Sequence, residues 1–452
     1  MLEATFIGHQ GWLLSTGRTN VLVDPLLTEG FGHGGLAGTV FPPRRFDVAR
    51  MPSIDAVWLT HEHDDHFDLP SLCTLDRAVP VYISGRSSVA MHSALAALGF
   101  TVHRVAPNTR TSLGDLTLQT FVADHRATPL SDEWDVLPFL AADAAGHGAF
   151  VSSVDVAMPD ALLDAVATAA PRAWMLCIAN NTTDVRFVED GIGRVHPTDD
   201  TDALAGVLTR RWKHAASRAG APALTAVTGG GWSHPSDLAW VDRLAFSIDP
   251  DRLATALSQR CDTRATAVRP GATLVLGDDV QETNAPWVES VPATRPLPEA
   301  VDVPATFEPA CGVRQLAPNA WPHLEAGLSD LARFLYGRSF FTAAQSLAAD
   351  DPLGILLHDD NGDRTYAWSP RSASFEPTTR STFACRLRLW ATDLLALFEG
   401  ELAPSALCYT GRLRVSNRDP QSLRISPMLL WSFAHPLHRP EAARKLYAGW
   451  RS

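Results

Sequence analysis

The sequence lacks any long apolar segment. No hydrophobic run in its 452 residues approaches the about 18 residues that a transmembrane helix requires. The first five residues also lack the basic start and the long apolar core of a secretory signal. We therefore expect a protein without a transmembrane segment, located in the cytoplasm.

Cysteine is scarce as well. The six cysteines are scattered and form no C-x-x-C pair, which indicates reduced, mostly buried thiols and agrees with a cytoplasmic location. None of them has a histidine two or three positions further on, so the C-x-H and C-x-x-H pairs of a Rieske iron–sulfur cluster are absent. Histidine, with 16 copies, is the abundant potential metal ligand.

Basic residues are fewer than acidic residues. The chain has 38 Lys and Arg against 50 Asp and Glu, a formal net charge of -12, and no basic run that could follow a phosphate backbone. Nucleic acid is therefore disfavoured as the main partner, and we expect a small-molecule substrate. The sequence leaves the oligomeric state open.

Three histidines and an aspartate follow a short apolar stretch that predicts a strand, residues 56–59. Residues two apart on an extended chain point the same way, so His61 and His63 can hold one metal ion, while Asp65 and His66 turn toward a second position. Imidazole suits zinc and iron, and carboxylate adds negative charge that anchors a divalent ion. The alternative is a polar surface loop that is rich in histidine by chance.

Two ions need more ligands than this H-x-H-x-D-H motif supplies. His125 and Asp155 each follow a predicted strand, and His196 lies directly before a predicted helix. Such positions at the carboxyl ends of strands are where α/β folds gather their sites. His234 is the alternative to His196 as the last ligand and would otherwise line the pocket.

The ordered set of motifs resembles the metallo-β-lactamase superfamily: a strand that ends in Asp24-Pro25, the H-x-H-x-D-H motif, a lone histidine, a strand-ending aspartate and a last histidine. The resemblance covers residues 1–235 and implies a four-layer αββα sandwich with a dinuclear site at one edge. It implies that Asp24 supports the ligand loop by hydrogen bonds. The metal ligands that it implies are His61, His63 and His125 for metal 1, Asp65, His66 and His196 for metal 2, and Asp155 as the bridge.

Two further histidines are candidates for the surroundings of the site. His9 lies between the first two predicted strands, where a structural histidine is the alternative, and His33 lies in a glycine-rich segment, where simple exposure is the alternative. This segment, residues 28–46, predicts a long loop without regular structure. Its Arg44 and Arg45 could bind an anionic group, with solvated surface charge as the alternative.

Two short segments near the start of the sequence restrict the resemblance to one group within the superfamily. Residues 8–12 and 24–27 are similar to the group that contains ascorbate-6-phosphate lactonase, the phospholipase D that cleaves N-acyl-phosphatidylethanolamine, and the lactamase-like part of CMP-N-acetylneuraminate hydroxylase. Residues 394–400 and 411–418 resemble the last of these faintly. This group implies either hydrolysis or oxidation.

Hydrolysis is the first hypothesis. Two zinc ions would lower the pKa of a shared water to about 7, so that hydroxide attacks an ester, lactone, amide or phosphodiester of a medium-sized organic substrate. Asp65 or Asp155 would handle the proton as catalytic groups. The alternative is a nonheme diiron oxygenase that acts on a secondary metabolite. Oxidative relatives commonly carry glutamate at the position of His63, so this imidazole favours zinc and hydrolysis.

A non-catalytic binding module is the third hypothesis. It is disfavoured because an unused cluster of buried imidazoles and carboxylates would be costly to keep without metal. The alternation of strands and helices predicts an α/β catalytic domain over residues 1–245. Residues 246–452 are expected to form an additional C-terminal α+β domain, which includes a proline-rich crossing at 286–309.

Overall fold

Contacts divide the chain into two compact units. Unit 1 comprises Met1–Asp184 and His196–Glu299, and unit 2 comprises Val185–Val195 and Ala300–Trp450. The computed structural model describes residues 1–32, 35, 37–123, 135–180, 188–197, 199–235, 237–245, 247–295, 299–336, 353–369, 372–417 and 427–450.

The first sheet of unit 1 has eight strands and is mixed. Its strands β3, β7, β8 and β9 run parallel, and every residue of β7 is buried, as expected for a parallel strand that is covered on both faces. In spatial order the strands are β20 (Val280–Asn284), β19 (Ala272–Leu276), β1 (Leu2–Gly8), β2 (Gly11–Ser15), β3 (Asn20–Val23), β7 (Ala56–Leu59), β8 (Val81–Ser84) and β9 (Val102–Val105).

The second sheet of unit 1 has seven strands. It begins with antiparallel hairpins and continues with parallel strands from β13 onward. In spatial order the strands are β10 (Arg110–Leu113), β11 (Leu116–Thr120), β12 (Phe139–Asp143), β13 (Gly148–Ser152), β14 (Ala173–Ala179), β16 (Leu224–Thr228) and β18 (Ala265–Ala267).

The two sheets share one hydrophobic core. Trp12 of the first sheet packs edge-on against Phe150 of the second, with ring centroids 5.1 Å apart. Helices α3 (Asp160–Ala169), α4 (Thr201–Ala219) and α5 (Pro250–Cys261) cover the outer face of the second sheet.

Helices α1 (Leu69–Cys73) and α2 (Val89–Ala97) complete the layers of unit 1. Helix α1 follows β7 and α2 follows β8, and α2 contacts β9 of the first sheet. The buried side chains of α2 are not part of the core between the two sheets, so this helix lies on the outer face of the first sheet. The layer order is therefore αββα. The fold predicted from the sequence is confirmed.

Short strands occupy the segment 28–46, which is not the irregular loop that the sequence predicted. Gly38 makes the pairing of β5 with β17 possible: its φ is 155°, and a Cβ there would lie 2.7 Å from the Trp232 ring. The strands are β4 (Gly30–Phe31), β5 (Gly38–Val40) and β17 (Trp232–Ser233) in one sheet, and β6 (Arg44–Phe46) with β21 (Val288–Ser290) in another.

Unit 1 extends beyond residue 245, where the sequence analysis placed the domain boundary. Strand β19 pairs along its length with β1, inside the first sheet, and β18 adds to the second sheet beside β16. Residues up to Glu299 therefore belong to unit 1, and the passage to unit 2 falls within the predicted proline-rich crossing at 286–309.

Unit 2 is an α+β region, as expected. Its core lies between a five-stranded sheet and the surrounding helices. The sheet contains, in spatial order, β25 (Ser374–Thr378), β24 (Arg364–Ser369), β23 (Leu353–His358), β26 (Cys385–Trp390) and β27 (Arg414–Asn417), and β15 (Arg194–Val195) pairs with β22 (Val301–Asp302). The helices are α6 (Trp321–Tyr336), α7 (Ala391–Glu399), α8 (Ser405–Cys408), α9 (Met428–Ala434) and α10 (Pro440–Gly449).

Within the described part of the chain, none of the helices combines the length and the apolar character needed to cross a lipid bilayer.

Replacing Leu274 by Ala should destabilise unit 1. Leu274 is fully buried in the core between the sheets, so the cavity should lower the free energy of unfolding by about 2–5 kcal/mol. Chemical unfolding followed by tryptophan fluorescence measures this change. Gln281, exposed on the neighbouring β20, is the control, and Gln281→Ala should leave stability within about 0.5 kcal/mol of the wild type. Equal effects of the two substitutions would contradict the placement of β19 in the core.

Candidate metal centre

The ligand loop starts where β7 ends. His61 and His66 are fully buried, with ring centroids 4.1 Å apart, and the His61 and His63 rings lie 4.6 Å apart. The loop turns tightly at His63, whose carbonyl accepts from the backbone N–H groups of His66 (3.0 Å) and Phe67 (2.7 Å). This turn brings His66 back beside His61.

The residue between the first two histidines points elsewhere. The Glu62 carboxylate accepts hydrogen bonds from the backbone N–H (2.8 Å) and the hydroxyl (2.5 Å) of Ser88. Ser88 is the N-cap of α2 and accepts from the backbone N–H of Met91. The alternation of an extended chain thus gives the histidines to the site and the glutamate to the scaffold.

Asp155, just after β13, brings a carboxylate from the second sheet. Its Oδ2 lies 3.0 Å from His66 Nε2 and 3.5 Å from His61 Nε2. Its Oδ1 accepts a hydrogen bond of 2.7 Å from the side-chain amide of Gln10. Asp155 therefore presents one oxygen to the two imidazoles and is held by the other.

Asp65 is held from the opposite side. Its Oδ2 lies 2.9 Å from Nε2 of His9 and 3.8 Å from Nε2 of His66. Two sets of possible ligand atoms result, with all atoms of a set within 4.8 Å of one another. These sets are His9, Asp65 and His66, and His61, His66 and Asp155.

Asp24 determines which imidazole nitrogens face the site. Its Oδ2 accepts from the Thr60 hydroxyl (2.6 Å) and lies 2.8 Å from His66 Nδ1. An ionised carboxylate only accepts, so His66 carries a proton on Nδ1. Because the Thr60 hydroxyl donates its hydrogen bond to Asp24, it accepts from His61 Nδ1, 3.0 Å away. In their neutral forms both histidines then present the Nε2 lone pair, as metal ligands require.

The electrostatics of the cluster favour a cation. Burial, and then the neighbouring His66 and His63, hold the pKa of His61 well below its usual value. Burial alone would lower the pKa of His66 too, but Asp65, Asp155 and Asp24 outweigh it and raise that pKa well above its usual value. Carboxylates that stabilise a proton on a buried imidazole would also stabilise a metal ion, which would displace that proton.

The two acids of the cluster stay ionised. Burial would raise the pKa of Asp65, yet the charge of His66 and the hydrogen bond to His9 hold it well below its usual range. His66 does the same for the pKa of Asp155, against the effect of burial. Two ionised carboxylates and the neutral imidazole of His61 are thus available together, and His66 would offer Nε2 once a metal ion displaces its proton.

A divalent ion fits this donor set. Nε2 of His61 is buried and has no hydrogen-bond partner among the residues that the structure describes. A buried imidazole nitrogen without a partner costs free energy, and coordination to a metal would remove that cost. The nitrogen and carboxylate donors match the ligands that zinc and iron take in proteins.

The two candidates for the last ligand, His196 and His234, differ in burial. His196 is exposed and lies in neither set of ligand atoms, and β15, just before it, pairs with β22 rather than with a sheet of unit 1. His234 is buried, and its Nδ1 lies 2.7 Å from Asp242 Oδ1. His234 also lies in neither set. The predicted ligand His125 and the predicted pocket residue His33 lie outside the described residues.

Arg44 supports the loop that carries His9 and Gln10. The guanidinium is buried and donates to the carbonyls of Ile7 (3.0 Å), Leu26 (2.7 Å) and Thr28 (3.2 Å). Burial lowers its pKa to about 10, so it stays charged at neutral pH. Backbone carbonyls occupy Nε and Nη2, and the alternative that Arg44 is a solvated surface charge is wrong because the side chain is buried, while binding of an anionic group stays a prediction. Arg45 is exposed.

Sequence reasoning missed several residues that touch the ligands. Gln10 had a signal, since it follows His9 in the G-H-Q-G turn, and Thr60 had one as the residue before the motif. Asp242 had none. Asp135 had none either, and it acts on the cluster through charge: it is fully buried, accepts from the Ser87 hydroxyl (2.8 Å), and burial raises its pKa to about 6 against the opposing effect of His63.

Residues 19–175 match the family described as Beta-lactamase superfamily domain. This part of the chain is a β-lactamase superfamily domain. The match spans the ligand loop and Asp155, and the resemblance drawn from the motifs is confirmed at the level of the superfamily. The narrower group stays a prediction.

Solved structures with a similar fold include both hydrolases and an oxidative enzyme. A possible metal-dependent hydrolase from Veillonella parvula is 15% identical and covers 61% of this chain and 100% of its own, with a TM-score of 0.40. Isothiocyanate hydrolase from Delia radicum gut bacteria is 15% identical over 61% of this chain and 99% of its own, with a TM-score of 0.39. CmlA, a diiron beta-hydroxylase from Streptomyces venezuelae, is 17% identical over 63% of this chain and 54% of its own, with a TM-score of 0.39.

Replacing Asp24 by Asn should weaken metal binding. An amide in place of the carboxylate can turn its NH2 toward His66 Nδ1 and so favour the tautomer with a proton on Nε2. We expect a loss of about 10- to 100-fold in metal affinity, the usual effect of removing such a partner. Competition with a chromophoric chelator measures it.

Asp55 provides the matched control for this substitution. It is an exposed aspartate of the same strand region that accepts from the backbone N–H of Asn20, and Asp55→Asn should bind metal as the wild type does. If Asp24→Asn also bound metal as the wild type does, Asp24 would not set the tautomer of His66.

Proposed function

We propose that the protein is a dinuclear metal-dependent hydrolase of a medium-sized organic ester, lactone, amide or phosphodiester. The observation that carries this proposal is the convergence of His61 Nε2, His66 Nε2 and Asp155 Oδ2 within the β-lactamase superfamily domain. The raised pKa of His66 supports it, because three carboxylates create a strongly negative potential there.

The proposed ligands divide into two groups that share Asp155. His61 and His63, with His125, would hold metal 1. Asp65 and His66, with His234, would hold metal 2, and Asp155 would bridge the two. One set of neighbouring ligand atoms joins Asp65 to His66, and the other places Asp155 beside both His61 and His66, as a bridge between the two positions requires.

We propose His234, rather than His196, as the last ligand. Burial of His234 and the bond of its Nδ1 to Asp242 support this choice, because a metal-bound histidine usually donates its other nitrogen to a carboxylate. The backbone N–H of Gly229, at the start of the same loop, donates to the carbonyl of His9, which brings this loop next to the residue that holds Asp65. His196 has the exposure of a surface residue.

Two bound divalent ions would supply Lewis acidity and an activated water at neutral pH. The chain's own carboxylates would manage the proton. Gln10 holds Asp155 Oδ1 and leaves Oδ2 to the ions that Asp155 would bridge, so Asp65 would be the acceptor of a proton inside the site. His9 holds Asp65 through Oδ2 and keeps that side chain oriented toward the cluster. The acids stay ionised at neutral pH, the form that a proton acceptor needs.

His63 is the residue that favours zinc over iron in this proposal. An imidazole at this position makes the first metal position poorer in carboxylate, and carboxylate-rich sites are the ones that stabilise oxidised iron. A nonheme diiron oxygenase is the alternative outcome of the test.

Metal analysis of protein purified without added metal tests the function. We expect about two zinc ions per chain, hydrolysis within a panel of esters, lactones, amides and phosphodiesters, and no O2 uptake with any of them. Removal of the metal by a chelator should abolish hydrolysis, and zinc should restore it. Two iron ions with an optical band and substrate-dependent O2 uptake would establish the oxygenase instead. A chain that binds no divalent ion would refute both.

Two histidine substitutions test the last ligand. His234→Ala should lose about one metal ion per chain and at least about 100-fold in kcat, since a proposed metal ligand is removed. His196→Ala is the matched control and should keep both ions and the wild-type rate. Equilibrium dialysis with metal quantification, together with steady-state kinetics, gives both readouts. The reverse pattern would restore His196 as the ligand.

A further inference from the structure

Arg295 is a buried cation that contacts backbone rather than acid. Its side chain is only 6% exposed, although it lies in the proline-rich segment. Its Nη2 donates to the carbonyls of Gly230 (2.7 Å) and Trp232 (2.9 Å). The guanidinium also lies over the ring of Phe41, with Cζ 4.0 Å from the ring centroid. Among the described residues, no carboxylate forms an ion pair with it.

These two carbonyls belong to the loop that leads to His234. Next to them, Gly231 accepts from the backbone N–H of Phe41 (2.9 Å), so Phe41, directly after β5, and Arg295 both hold this loop. The Trp232 ring packs 6.1 Å from the His9 ring, at the edge of the ligand cluster. His234 follows two residues later, with its side chain and its backbone N–H both directed to Asp242.

Burying this charge without an ion pair costs free energy. Burial lowers the pKa of Arg295 to about 10, and the charges of Asp242 and Asp249 oppose that effect, so the side chain remains a cation at neutral pH. A buried guanidinium whose Nη2 donates to two carbonyls of one loop restrains the geometry of that loop. A lysine in its place would keep the charge but would lack the planar guanidinium that lies over the Phe41 ring.

We propose that Arg295 is a positioning residue that holds the 229–234 loop so that His234 can complete the second metal position. This inference rests on the proposed function, because it takes His234 as a ligand. Its action runs through the backbone of Gly230 and Trp232, and not through contact with metal or substrate.

Cobalt(II) titration of the metal-free protein tests the proposal independently of activity. The d–d absorption of cobalt reports each occupied site and its geometry. Arg295→Lys and Arg295→Met should bind the first cobalt equivalent as the wild type does. Both should bind the second with an affinity lower by about 10- to 100-fold, with a changed band shape, since the supporting contact of a ligand is lost. Arg295→Lys keeps the charge and is the variant expected to fold in any case.

Arg264 provides the matched control. It is an exposed arginine of unit 1 that also donates to a backbone carbonyl, that of Val280, and Arg264→Lys should titrate as the wild type does. Thermal unfolding of all the variants separates a general loss of stability from a selective loss of the second site.

The outcomes distinguish this inference from the proposed function. If Arg295→Lys binds two cobalt ions with wild-type affinity while His234→Ala binds one, the positioning role is refuted and the function stands. If the wild type binds fewer than two ions, or His234→Ala keeps both, the ligand assignment fails and this inference fails with it. Equal weakening of both cobalt sites in Arg295→Lys would also refute a selective role.

Discussion

The structure of the site depends on one buried anion, the carboxylate of Asp24. It stands at the end of β3 and receives the backbone N–H and the hydroxyl of Thr60, at the end of the neighbouring strand β7, as well as Nδ1 of His66. Asp24 itself adopts a left-handed backbone conformation, with φ of 41°, which aspartate tolerates better than most residues. One side chain thus ties two parallel strands together and decides which nitrogen each histidine offers. The ligand loop has a fixed protonation pattern because this acid lies beneath it.

Residues from distant parts of the chain hold the candidate ligands in place. Gln10 and His9 hold the two acids, and Arg44 holds the turn that carries Gln10 and His9 through backbone carbonyls. The negative charge of the cluster is therefore assembled from residues that each have their own partner. Such an arrangement keeps like charges close together, and the pKa of His66 shows the resulting potential. A cation is the simplest means of relieving that potential.

How much the sequence could predict depended on how local each feature is. The H-x-H-x-D-H motif, Asp24 and Asp155 could be identified because each stands next to an apolar strand, and strand ends are where sites form. The choice between His196 and His234 could not be made this way, since a helix after His196 says nothing about the pairing of β15 with β22. The place of β19 in the first sheet could not be predicted for a similar reason. Its partner β1 lies about 270 residues earlier, and no local pattern encodes so distant a pairing.

The excursion of Val185–Val195 from unit 1 into unit 2 has a consequence for biosynthesis and for evolution. Its Asp190 pairs with Arg386 (2.7 Å) and Arg388 (2.9 Å), which the ribosome makes almost 200 residues later. A nascent chain therefore has to carry this segment without its partners until Arg386 and Arg388 have been made. For the same reason no single genetic cut separates the two units cleanly, so recombination would tend to pass them on as a pair.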